Sequence, residues 1–538
     1  MVEVQHEQHV HRHDAVQQQF TFGEAYLTAG MALAIARNEV KGVISQQVRE
    51  KCKTNREVVE RIVEKGAPVY GINTGFGPLC TTQISKEETR VLQTNILKSH
   101  SVGVGEPIDL ELAKLMLILK LQSLAKGNSG IAVATMDRIL WHIHQDAIPI
   151  VPSQGSVGAS GDLAPLSHLF LPLIGLGKVN YNGQVMSTAA LFDQVGLKPI
   201  ELGPKEGLAL INGTQFILAH AVKVVEKLHS CLSQADIIST LMLEGLQGSV
   251  KPFYQELHQL RPYKGNIHVA SRIKSLLAGS EIVNAHADCE RVQDPYSLRC
   301  IPQVHGASRN AWLHLKELVE IELNSVTDNP VIINDELTIS GGSFHGQPLA
   351  MALDYACLAA SEIGNISDRR IYLALEGKFP GTPKLLMEDT GINSGYMILQ
   401  YTTAALASEN KGLCFPSSAD SIPTSLGQED HVSMGSIGGR KALNVLNNVE
   451  KILAIELLTA AQAFDFRKPL KSGAVINKIH EDLRKQVDFA AADRVFADDI
   501  ECAIQYITEK RILTLLQEVS ENESVSIATE FEEEFEQF

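Results

Sequence analysis

The sequence contains no apolar run of about 18 or more residues, so it offers no membrane-spanning helix. Its amino terminus is polar and lacks the apolar centre of a secretion signal, which makes the cytoplasm the expected location. Cysteines occur at positions 52, 80, 231, 289, 300, 357, 414 and 502, and none forms a Cys-x-x-Cys pair. That spacing argues against a zinc site or a disulfide framework and predicts reduced, mostly buried thiols. Positive charge is also short, with 47 Lys and Arg against 63 Asp and Glu, a formal net charge of −16. Nucleic-acid binding needs basic patches to displace counterions, so this balance opposes it. Internal repeats and flexible linkers are missing too. Small-molecule chemistry is the direction left open.

What is present is ordinary for a protein with a large core: 44% hydrophobic and 20% charged residues over 538 positions. Residues 1–20 carry His6, His9, His11 and His13, which suit either a metal ion or a disordered tail; the tail is the reading taken. Residues 21–215 are loop-rich, with Gly, Ser, Pro and Asn concentrated at 70–80, 99–106, 152–168 and 203–215, and again at 338–347. Residues 216–470 hold the long helical stretches: 216–246, 308–324, 348–376 and 440–468. In the last of these Leu443, Leu446, Leu453 and Leu457 form one stripe and Val445, Val449 and Ile452 another. Apolar residues on two faces predict a helix buried among helices. Short hairpins are expected at 178–183 and 331–339. Residues 471–520 read as a helical cap, and 521–538, with Glu530-Phe-Glu-Glu-Glu-Phe-Glu536, as a solvated acidic tail. The fold class is mainly α, a central bundle of long helices behind a loop-rich amino-terminal region.

The most informative stretch is Gly155-Ser-Val-Gly-Ala-Ser-Gly-Asp-Leu-Ala-Pro165. A nucleophile elbow would need glycine where Asp162 stands, and a phosphate loop would need a lysine that is absent. Taken alone, small residues before a proline often make no more than a turn. Another chemistry requires this composition. The Gly161 amide nitrogen can attack the Ala159 carbonyl only if the backbone folds back tightly, which glycine permits. Loss of two waters, one taking the Ser160 hydroxyl, leaves a conjugated ring with an exocyclic methylene. Ordinary side chains supply acids, bases and nucleophiles, so an electrophile of this kind has to be borrowed or built.

Here the sequence resembles the aromatic amino acid ammonia-lyases and aminomutases that carry a methylidene-imidazolone (MIO) group. The resemblance extends to Tyr70-Gly-Ile-Asn-Thr-Gly-Phe-Gly77, Ser99-His-Ser-Val-Gly-Val-Gly105 and Gly207-Leu-Ala-Leu-Ile-Asn-Gly-Thr-Gln215. It continues through Tyr296-Ser-Leu-Arg-Cys-Ile-Pro-Gln303, Asn324-Ser-Val-Thr-Asp-Asn-Pro330, Phe344-His-Gly-Gln347 and Gln428-Glu-Asp-His-Val-Ser-Met434. It implies a fumarase/aspartase-like helical fold, a homotetramer, and MIO formed from Ala159, Ser160 and Gly161 with no external cofactor and no metal. It further implies that Tyr70 removes the β-proton and that Arg299 clamps the substrate carboxylate. A planar guanidinium fork suits that task. Asn212 and Tyr296 are implied to bind substrate and the ring, and Gln293, Phe344 and Gln428 to line the pocket.

Two positions bear on the substrate. Ser99-His100 is similar to the pair found in histidine-using members, although tyrosine-using members also place a histidine in this region. Glu429 speaks more strongly, because histidine-using members carry this Glu and the others resemble Asn-Gln-Asp-Val. A carboxylate can accept from an imidazole N–H, whereas against an apolar ring the same buried charge is a cost. A solvated helix start is the plain alternative for Glu429-Asp-His431. Ser343 and Gly427 depart from the asparagines common at those places. The expected reaction is elimination of ammonia from L-histidine to trans-urocanate. The alternatives are a tyrosine or phenylalanine ammonia-lyase or 2,3-aminomutase, and a non-catalytic assembly protein that kept the fold.

Overall fold

Apolar residues on several faces of a helix demand neighbours on several sides, and the longest helices meet that demand. The computed structural model describes residues 18–66, 68–79, 84–287, 291–523 and 525–538. The seven helices that bear on the site are, in order, α1 (Lys86–His100), α2 (Leu110–Leu124), the short α3 (Glu206–Ile211), α4 (Gln215–Gly245), α5 (Ile301–Leu323), α6 (Gln347–Leu375) and α7 (Gly435–Asp465). Helices α4 and α7 each run 31 residues, roughly 46 Å. They pack along one another, α6 lies on α7, and α5 closes against α4 and α6. Pro302 and Pro348 sit in the first turns of α5 and α6, where no intrahelical N–H is required. Buried charge pairs cross the bundle: Arg309 to Asp236 at 2.6 Å, and Arg370 with Glu456. Pairs of this kind fix which residues face each other more than they add stability.

The four expected long helices are present, with shifted ends. α7 starts at Gly435 instead of Arg440, because its glycines serve close packing; a Cβ on Gly439 would stand 2.7 Å from the His220 Cβ. Both expected hairpins form, Lys178–Tyr181 with Gln184–Ser187 and Val331–Ile332 with Thr338–Ile339. Three stretches read as loops contain regular structure. Residues 203–215 contain α3, whose Gly207 allows the helix to approach the backbone of Gln93 in α1. Val104–Pro107 pairs antiparallel with Pro152–Gln154, which brings the His100 region beside the Ala159 region.

The two chain ends also differ from expectation. Gln19–Thr21 is a strand, parallel to Lys41–Val43, so the stretch read as a tail to residue 20 includes the start of a strand. The histidines at 6, 9, 11 and 13, and Cys80 and Cys289, lie outside the described residues. The acidic end is not a solvated tail. Phe535 is fully buried, and Glu536 accepts from Arg309 at 2.7 Å and His268 at 2.8 Å. Among the described residues Cys52, Cys231 and Cys357 are buried, and the described cysteines are free thiols. No helix among them is long and apolar enough to cross a membrane.

Candidate active site

Ala159, Ser160 and Gly161 lie between two helix starts, that of Leu163–Phe170 and that of α4. Asp162 ties the two together. Its Oδ2 accepts from the Phe216 and Ile217 N–H groups at 3.1 and 2.9 Å, and its Oδ1 from Ser156 Oγ at 2.8 Å. Burial pushes this carboxyl up to about 6, against the pull of those three donors. The backbone of Gly161 pairs with that of Gly213. Its φ is +74°, and a Cβ there would stand 2.1 Å from the Gly213 carbonyl oxygen, so no other residue fits. The tripeptide is thus held tight, in the small-residue setting that ring closure needs, and it fits the MIO group. Helix amino termini contribute partial positive charge, which suits an electron-accepting centre.

Ser160 opens onto a cavity of about 1010 Å³. Tyr70, His100, Asn212, Phe344, Gln428 and Glu429 line it as well. The Tyr70 loop is pinned by Gly71, φ +70°, whose missing side chain leaves room for Leu208 of α3. The Gly77 N–H donates to the Tyr70 hydroxyl oxygen at 3.2 Å. His100 ends α1, with Nδ1 2.9 Å from Ser99 Oγ. Burial lowers its pKa, while the Ile96 carbonyl and the Glu429 charge oppose that shift. Asn212 donates from Nδ2 to the Asn329 carbonyl at 2.9 Å, and its Oδ1 is buried without a partner.

Glu429 is the most heavily engaged group in the cavity. Its Oε1 accepts from Ser160 Oγ at 2.7 Å, and its Oε2 from Thr424 Oγ1 at 3.0 Å and Ser425 Oγ at 2.9 Å. A solvated helix start is therefore not its setting. The turn carrying it has three successive left-handed residues, Ser425, Leu426 and Gly427, with φ of 50°, 56° and 85°. Strain of this sort persists where the surroundings hold it. Gly427, and the asparagine common at its position, both tolerate that φ.

Three residues predicted for the same site stand elsewhere in the chain. Gln293 and Arg299 line a separate cavity of about 660 Å³, and Tyr296 is 70% exposed. The Arg299 guanidinium stacks 4.6 Å from the Tyr296 ring centroid, and its Nε donates to the Asp294 carbonyl at 2.9 Å. One chain alone therefore brings Ser160, Tyr70 and Glu429 to one cavity and leaves Arg299, the residue expected to clamp the substrate carboxylate, at another. Sequence reasoning missed Thr424 and Ser425, Asn329, and the part played by Asp162. An Asp just before a helix signals an N-cap, but here it caps α4, distant in sequence.

The model of the family described as aromatic amino acid lyase matches residues 27–485. Among curated relatives, the histidine ammonia-lyase of Natranaerobius thermophilus is 45% identical over 476 residues, 88% of this chain and 94% of its own length. The solved histidine ammonia-lyase of Trypanosoma cruzi is 36% identical with a TM-score of 0.87, covering 96% of this chain and 97% of that one. Tyrosine aminomutase from Streptomyces globisporus is similar at 34% identity and a TM-score of 0.87, covering 93% and 98%. By these matches over most of its length, the chain belongs to the aromatic amino acid lyase family.

Proposed function

We propose that this chain eliminates ammonia from L-histidine to give trans-urocanate, as a histidine ammonia-lyase. The observation that carries the reading is Glu429, a carboxylate held in the cavity against Ser160 with His100 nearby. Enzymes of this family break carbon–nitrogen bonds. Their MIO group, formed here from Ala159, Ser160 and Gly161, supplies an electrophile once made. In forming it Ser160 gives up its hydroxyl. Glu429 Oε1 then loses that donor, while Thr424 and Ser425 still hold Oε2. A fixed acceptor facing the cavity suits an imidazole N–H and gives nothing to a phenyl ring.

Tyr70 is the base for the β-proton, and the Gly77 N–H directed at its oxygen supports the phenolate left after proton loss. Asn212 Oδ1, a buried acceptor without a partner, faces a donor such as the substrate amino group. The substrate carboxylate needs Arg299, which this chain places in a different cavity. Other copies of the chain therefore complete the site, in a homotetramer. In support, α6 exposes Met351, Tyr355, Leu358 and Tyr372, large apolar side chains that want cover.

His100 also suits a phenol, which keeps tyrosine as the second reading. The test presents histidine, tyrosine and phenylalanine separately and follows ammonia and product absorbance. Histidine should release ammonia and urocanate in equal amounts and be turned over fastest. Preference for tyrosine or phenylalanine, or a β-amino acid as product, overturns the assignment.

A further inference from the structure

Lys120 lies in α2, almost fully buried, and its ammonium donates to the backbone carbonyl of Asn212. Next to it Lys205 Nζ pairs with Asp328 Oδ2 at 2.6 Å. One carboxylate thus serves two ammonium groups. An ammonium in this setting loses its hydration with little in return, and methionine would fill the space without that loss. What methionine cannot do is hold the Asn212 carbonyl.

That carbonyl belongs to the residue where α3 ends, which turns extended at φ −82°, ψ 127°. The chain then runs beside the tripeptide. The Gly213 carbonyl accepts from the Asp162 N–H at 2.8 Å, and the Gly213 N–H donates to the Ser160 carbonyl at 3.4 Å. Gly161 lies so close to Gly213 that no Cβ fits between them. Asn212 and Gly213 form the wall against which the tripeptide is folded, and Lys120 is fastened to that wall.

We propose that Lys120 is a positioning residue for self-processing of Ala159-Ser160-Gly161, holding the Asn212-Gly213 backbone so that ring closure can occur. The inference rests on the reading of that tripeptide as the electrophile's source. In the step, the Gly161 nitrogen bonds to the Ala159 carbonyl carbon. The carbonyl oxygen leaves as one water with the Gly161 and Ser160 amide protons, and a carbon–nitrogen double bond forms. The Ser160 hydroxyl leaves with its Cα proton as the second water. Atoms balance and no oxidant is needed. Burial pushes the Lys120 ammonium down to about 7, with Asp328 opposing and Lys205 reinforcing. Both its charged and neutral forms keep an N–H for the Asn212 carbonyl, so the clamp survives loss of the proton.

The test is Lys120→Met in the full chain, read by intact mass, circular dichroism and melting temperature. Wild type should be two waters lighter than its sequence. The variant should keep its helicity yet mature roughly tenfold or more slowly, with unprocessed chains accumulating. Its activity per processed chain should stay close to wild type, a split that a merely structural role would not produce. Lys120→Arg, which keeps a cationic donor, should restore much of the maturation. Maturation of Lys120→Met at the wild-type rate overturns the proposal. If Lys120→Met does not fold, Lys120→Leu, which also lacks a donor, is read the same way, and loss of fold in both makes Lys120 a stability residue and also overturns it. A wild type without the mass loss fails the reading of the tripeptide itself, a different result from a processed Lys120→Met.

Discussion

Glu429 accepts from Ser160 Oγ, and on the function proposed above it becomes, once that hydroxyl has gone, the acceptor the cavity offers a substrate. Glu429→Gln keeps the shape and some hydrogen bonding but removes the charge. For histidine the loss should be about 2–3 kcal/mol in transition-state binding, roughly 30- to 150-fold in kcat/KM. Rates are to be expressed per processed chain, since the same residue touches Ser160. Phenylalanine has no ring N–H, so any activity on it should be unchanged or raised. An equal loss on both substrates would assign Glu429 to the chemistry or the fold instead. The composition around Ser160 and the family resemblance named Ser160, Tyr70, Asn212 and Glu429 for one site, and the four line one cavity. Thr424 and Ser425 were not legible in the sequence, because their hydroxyls reach Glu429 only through a turn of three left-handed residues, of which Gly427 alone gives a local sign.

At the scale of elements, periodicity exposed the four long helices because each buries more than one face. It could not show what covers them. The run ending at Glu536 has the composition of a solvated tail, yet its partners Arg309, Arg272, His268 and His229 come from three other helices. Burial works against the Glu536 carboxylate, but Arg272 and Arg309, helped by the two histidines, hold its pKa well below the usual range. A depressed carboxylate stabilises the fold fully above its unfolded value, about 4.3, and loses that contribution as pH falls through the folded value. Glu536→Gln should therefore melt several degrees below wild type at neutral pH, as expected when a buried ionic network loses one member. The gap should narrow on acidification below about pH 4. Equal melting temperatures at neutral pH would return this segment to the role of a solvated tail.

Over the whole molecule, the distribution of functional groups is itself informative. Tyr70 and Ser160 share one cavity, while Arg299 lines another and Tyr296 is largely exposed. A substrate amino acid carries its carboxylate and its β-carbon a few bonds apart, so both cannot be served at once by groups in separate cavities of one chain. Assembly resolves this if each site takes Tyr70 from one copy and Arg299 from another. Chains with Tyr70→Phe and chains with Arg299→Ala should each be nearly inactive as pure assemblies. Unfolded, mixed in equal amounts and refolded together, they should regain activity, because some sites then receive an intact tyrosine from one parent and an intact arginine from the other. Random mixing of two contributing chains leaves about a quarter of the sites intact, so recovery should approach about a quarter of wild type. Both parents must be processed at Ser160 for that comparison, which intact mass establishes. A wild type that is fully active as a monomer by light scattering, or a mixture that regains nothing although the chains co-assemble, would place Tyr70 and Arg299 in one chain's site after all.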